Sequence, residues 1–100
     1  MKTNFVEIMG DNPTARILDF LIENDRDSWT MVEIRDGAKV GYSTLKIILP
    51  QMLKNKLIIV KKTVGKSRLF TINKENPIIK KVYELYNTIN KIEIKRFIKE

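Results

Sequence analysis

The sequence predicts a mainly helical α+β domain with a single two-stranded sheet. Helical apolar spacing recurs in separate stretches, two of them opened by Asn-Pro. Two β-branched runs flank a Gly-containing turn just ahead of the last of these stretches. The chain has 100 residues, enough for one small core and too few for a two-domain cleft. The expected organisation is one domain over 1–100, made of an extension over 1–11, a central unit over 12–76 and a long helix over 77–100.

Phe5, Val6, Ile8 and Met9 form a short apolar segment compatible with strand or helix, which Gly10 ends. Asp11-Asn12-Pro13 then places a good N-cap beside Pro at the first helical position, where its missing N–H is no loss. Ile17, Leu18, Leu21 and Ile22 follow at helical spacing, so a helix is expected to about Asn24. Ser28-Trp29-Thr30 is long enough only for a bridging strand. Thr30 and Glu33 have the spacing of a capping box, which opens a helix of about two turns near Met31 that ends by Gly37, with Val32 and Ile34 expected to be buried.

From Tyr42 a third pattern places Leu45, Ile48, Leu49 and Met52 on one side of a helical wheel. The opposite side carries Ser43, Ile47, Pro50 and Lys54, flanked by Thr44, Lys46 and Gln51. Pro50 removes one backbone donor and predicts a kink, and Asn55 is the expected left-handed terminator. Leu57 to Thr63 and Arg68 to Ile72 read as a hairpin around Val64-Gly65-Lys66-Ser67. Asn76-Pro77 repeats the earlier start signal and opens a helix to about Asn90, or on to the end of the chain. In it Ile78, Val82, Leu85, Ile89 and Ile92 step by four and three, the spacing of a coiled-coil seam, while Ile94, Phe97 and Ile98 fall off it.

The net charge of +7 conceals two unlike parts. Residues 1–36 hold four basic and eight acidic side chains, whereas residues 37–100 hold fifteen and four. Between Asp36 and Glu75 stand nine cations (Lys39, Lys46, Lys54, Lys56, Lys61, Lys62, Lys66, Arg68 and Lys74) and no acid. A compositional bias toward Lys raises Glu with it and does not empty such a window. A polyanion-binding surface does explain it.

With no Cys and no His, the chain has no disulfide frame, no thiol nucleophile, no imidazole base and no zinc site of the usual ligands. No cofactor or metal is expected. Asp25 and Asp27 are the closest approach to paired catalytic carboxylates, and nothing completes a site around them, so an enzyme is not expected. The longest apolar run, Leu57 to Val60, is far short of the ~18 residues of a membrane span, and a soluble cytoplasmic protein is expected.

Helix, short helix, turn, helix and basic hairpin is the order of a winged helix-turn-helix. Ile34, Ala38, Val40, Ser43-Thr44-Leu45, Leu49, Met52 and Leu57-Ile58 resemble the pattern of winged-helix transcriptional regulators of bacteria and archaea. The two Asn-Pro starts resemble small archaeal members related to the MarR and ArsR groups. The resemblance covers about residues 12–76, with three departures: Lys39 stands where the turn usually has Gly, Gly41 where the next helix usually has Ser, and Lys56 where Gly usually closes it.

The resemblance implies sequence-specific binding of double-stranded DNA, with a recognition helix over about 42–54 in the major groove and a wing over about 61–68 on phosphates or the minor groove. Tyr42, Ser43, Thr44, Lys46, Ile47 and Gln51 are the candidate base contacts: Lys46 for a guanine edge, Gln51 for adenine, Ile47 for a thymine methyl. Lys39, Lys54, Lys61, Lys62, Lys66 and Arg68 are the candidates for backbone and wing contacts. A homodimer is expected through Val82, Leu85, Tyr86, Ile89 and Ile92. The competing readings are an architectural or replication-associated DNA-binding protein and a winged-helix protein-interaction module. The acid-free window disfavours the latter, and the lack of exposed interleaved aromatics disfavours RNA.

Overall fold

The computed structural model describes residues 3–92. In chain order they form α1 (Asn4–Met9), α2 (Pro13–Glu23), α3 (Met31–Ala38), α4 (Tyr42–Lys54), β1 (Ile58–Val64), β2 (Ser67–Ile72) and α5 (Pro77–Lys91). The described residues thus make a small α+β fold of five helices and one antiparallel two-stranded sheet. None of these helices is long and apolar enough to cross a membrane. α5 ends at Lys91, Ile92 having extended backbone, so the expected helix stops close to Asn90 and does not run on unbroken; the expectations for Ile94, Phe97 and Ile98 fall outside the described residues.

Four of the five helix starts, all but that of α4, are set by a side chain that accepts from otherwise unpaired backbone N–H groups. Asn12 Oδ1 accepts from Ala15 N at 2.9 Å, and Asn76 Oδ1 from Ile78 N at 2.7 Å, each just ahead of a proline at the first helical position. At α3 the capping box is complete, with Glu33 N donating to Thr30 Oγ1 and Thr30 N to Glu33 Oε1. The early apolar segment is a helix: Thr3 caps α1 through Val6 N, and Gly10, at φ +99°, ends it.

α4 runs through Pro50 without a break. Pro50 and Lys46, whose carbonyl loses its i+4 donor to the proline, are both exposed. At the end of α4 the left-handed residue is Lys56 (φ +58°), not Asn55, whose φ is −85°. Asn55 still closes the helix, its N–H bonding to the Gln51 carbonyl, so the chain reverses one residue later than expected.

β1 and β2 pair from Ile58↔Ile72 to Val64↔Ser67, with an irregularity between Val60 and Lys62 that leaves Lys61 extra on its strand. The two-residue connection starts with Gly65 at φ +61°, a value glycine adopts at no steric cost. Trp29 exchanges both backbone hydrogen bonds with Phe70, at 2.9 and 2.8 Å, and so attaches the α2–α3 loop to the open side of β2 as the expected bridging strand.

One apolar cluster joins all these elements. Ile17 and Leu21 of α2, Ile34 and Ala38 of α3, Leu45, Leu49 and Met52 of α4, Ile58 and Phe70 of the hairpin and Ile79 of α5 are all buried in it. Val32 is 48% exposed, contrary to expectation, because one turn of α3 offers the core only the Ile34–Ala38 side. Phe5 and Val6 are buried as well, and the Phe5 ring lies 5.4 Å from that of Tyr86, so α1 fastens onto α5.

That contact changes the reading of α5. Its inward stripe is Ile79, Val82, Tyr86 and Ile89, while Ile78 and Leu85 point outward. Tyr86 (6% exposed) and Ile89 (5%) were expected to line a dimer seam, and both are instead covered within their own chain. The sequence spacing does not distinguish these two adjacent stripes. The aromatic partner on α1 does.

Candidate nucleic-acid interface

α4 turns one side to the core and leaves the other to water, as its pattern requires. Tyr42, Ser43, Lys46, Ile47 and Gln51 are exposed on it and Thr44 is half-buried. Ile47 is 65% exposed, with no apolar neighbour in the core to explain an isoleucine there. Gly41 supplies no side-chain cap, so the first N–H groups of α4 are not covered by its N-cap residue.

Tyr42 lies between two cations. The Lys46 ammonium, one turn along α4, is 5.7 Å from the ring centroid, and the Arg35 guanidinium of α3 is 6.0 Å from it. Arg35 also donates from Nε to Asp36 Oδ1 at 2.9 Å. Sequence reasoning missed Arg35, because it stands just outside the acid-free window beside an acid that cancels it in any charge count. The signal that could have found it is the shortness of the α3–α4 connection, which brings the last turn of one helix to the first of the other.

The hairpin carries the rest. Lys61, Lys62, Lys66 and Arg68 are all exposed, Lys61 at the irregularity and Lys66 in the turn. The Arg68 guanidinium lies over the Phe70 ring, 5.2 Å from its centroid, a cation–π contact that orients the head of a residue that is itself exposed. Ile59, Val60 and Val64 are exposed beside them. Lys39 occupies the α3–α4 connection and Lys54 the last turn of α4, where a cation complements the helix dipole.

Of the nine cations in the window, Lys74 is neutralised by Asp25 at 3.1 Å. The other eight form no ion pair among the described residues.

Several acids of the N-terminal part are engaged elsewhere. Asp11 pairs with Arg16, Asp19 accepts from Thr3 Oγ1 at 2.9 Å, and Glu23 accepts from the Tyr86 hydroxyl. Asp25 accepts from the Tyr83 hydroxyl at 2.6 Å. That hydroxyl, reinforced by Lys74, holds the Asp25 carboxyl below the usual carboxylate range, whereas burial pushes Asp19 up. Burial, together with the carboxylate each one faces, raises both phenols well above the ordinary tyrosine value. Among the described residues no three acids converge in a way that could hold a metal ion.

No family model, no curated protein and no solved structure matches the chain. The candidate site therefore rests on its own residues: an amphipathic helix with a polar, acid-free outer side, and a basic hairpin beyond its C-terminal end.

Proposed function

We propose that this chain is a winged helix-turn-helix protein that binds double-stranded DNA sequence-specifically and regulates transcription in the cytoplasm. In this reading α3 and α4 are the helix-turn-helix, α4 enters the major groove, and the hairpin is the wing. The observation that carries it is the set of eight cations on α4, its flanks and the hairpin that form no ion pair among the described residues, with no acid between them in sequence. Long-range positive potential of this kind selects nucleic acid. Lys46 and Gln51 have the chemistry to read base edges, and Ile47 that to meet a thymine methyl.

A gel-shift titration tests it. Changing Lys62, Lys66 and Arg68 together to Ala should weaken binding to every duplex and lower the slope of log affinity against log salt by up to about 3. Unchanged affinity would remove the wing from the interface. Selection of bound sequences from random DNA at two salt concentrations separates a regulator, which yields a motif, from an architectural protein, which yields salt-sensitive binding without one.

The homodimer belongs to the same proposal. With Tyr86 and Ile89 engaged internally and Val82 packed against the core, what remains for it is Leu85 and, one heptad before it, Ile78 on the outward side of α5, with the half-buried Ile92 just past its end. Sedimentation should report twice the 11.7 kDa chain mass, and a palindromic motif would agree with it.

A further inference from the structure

Two residues other than glycine have left-handed backbone among those described, and both are lysines: Lys39 at φ +57° and Lys56 at φ +58°. The conformation crowds Cβ against the backbone, and a glycine would adopt it without that crowding. Such strain persists only where the surroundings impose it. Here they do, in the same way at both places. The Lys39 carbonyl accepts from Arg16 Nη1 at 2.9 Å, and Arg16 is itself anchored to Asp11. The Lys56 carbonyl accepts from Asn73 Nδ2 at 2.8 Å and from Asn76 Nδ2 at 3.0 Å. In each case the backbone is fixed by side-chain donors while the lysine side chain stays exposed and makes no ion pair among the described residues.

The two lysines bracket α4. Its 13 residues span about 20 Å, so the two lysines stand far enough apart to meet phosphates at two separate points along a groove that the helix occupies. We infer that Lys39 and Lys56 are a matched pair of DNA-phosphate contacts, one at each end of α4, held by Arg16 on one side and by Asn73 and Asn76 on the other. The inference rests on the DNA-binding reading and gives Lys56, which the sequence marks only as one cation of the acid-free window standing where glycine usually closes the helix, a specific role in it.

The test uses the full chain with Lys39→Gly, Lys56→Gly, the two Asn replacements, Lys39→Arg and Lys56→Arg, and the hairpin triple Ala variant as reference. Binding to one duplex is titrated across several salt concentrations alongside thermal unfolding. Each Gly variant should keep its Tm or raise it by about 3 °C, since the left-handed bend is then unstrained. Each should nevertheless bind about five- to tenfold more weakly at 0.1 M salt, with the salt slope lowered by about 0.9. Asn, which tolerates the conformation without a charge, should behave as Gly does, and Arg should bind as the parent does. Wild-type affinity and slope in the Gly and Asn variants, with the hairpin variant impaired, would overturn this inference alone. Weak binding by Gly with normal binding by Asn would overturn it too, by tracing the effect to backbone freedom. If the parent chain itself shows no salt-dependent binding to any duplex, the DNA-binding reading fails and this inference with it.

Discussion

Gly37 lies in the last turn of α3 against the ring of Phe20. A Cβ built there would come within 2.1 Å of Phe20 Cε1, deep inside van der Waals contact. Alanine is favoured over glycine by about 1 kcal/mol in a helix, but displacing a packed ring costs about 1–3 kcal/mol. The ring has little room to move, because it also packs edge-on against Trp29 at 5.5 Å. Gly37→Ala should therefore lower the denaturant midpoint, and a raised midpoint would mean that Phe20 swings aside freely. The sequence marks Gly37 only as a place where a helix ends; its close contact with Phe20 depends on how α2 and α3 cross. Val32 turns outward against expectation on the same scale, since in so short a helix two apolar residues on adjacent sides look equally able to face inward. Lys56 shows the limit from the other direction, for a left-handed bend is visible in sequence mainly when glycine or asparagine occupies it.

α3 is eight residues long, too short to hold itself by propensity. Its start depends on the reciprocal bonds between Thr30 and Glu33, and Thr30→Ala should cost about 1 kcal/mol, a fall in Tm of about 4–8 °C for a domain of this size. A thermal melt of the variant checks it; an unchanged Tm would show that Trp29 and Phe70 hold the start of α3 without the cap. Elements announced by local chemistry were legible: both Asn-Pro starts, the capping box, the Gly65 turn and the bridging strand at Trp29 stand where the sequence puts them. α1 was legible as an apolar segment and not as a helix, because six residues contain too few turns to show a period. What settles it is long-range contact, Phe5 with Tyr86, and the same contact reassigns the stripes of α5. The candidate interface was legible on α4 and the hairpin because amphipathicity and charge are local there, whereas Arg35 joins it only through the packing of α3 on α4.

Across the whole molecule the charges sort by partner. Carboxylates of α2 and the loop after it bond to hydroxyls of α5, Glu23 with Tyr86 and Asp25 with Tyr83, while α4 and the hairpin keep their cations unneutralised. This arrangement gives stability a direction with pH. Both phenols are raised in the folded chain, so their contribution is complete below the unfolded tyrosine value of about 10 and is lost as pH rises beyond it toward the folded values. Asp25 acts in the opposite sense, its contribution being present above the unfolded carboxylate value of about 4 and lost as the solution is made more acid. Tm measured from pH 8 to 11 should fall more steeply in the parent than in the Tyr83→Phe, Tyr86→Phe double variant, although the variant starts lower. Parallel curves would show that these hydroxyls ionise in the folded state as readily as in the unfolded one.

The bridge between Trp29 and Phe70 has an optical consequence. Trp29 is the chain's one tryptophan; its ring packs on Phe20, its Nε1 donates to the Asn24 carbonyl at 2.9 Å, and its backbone is stitched to β2. The protein therefore carries a native fluorophore at the seam between its helices and its hairpin. A hairpin that detached while the helices stayed formed would shift the indole emission and leave the far-ultraviolet helical signal in place, so the two signals together resolve that opening without any label.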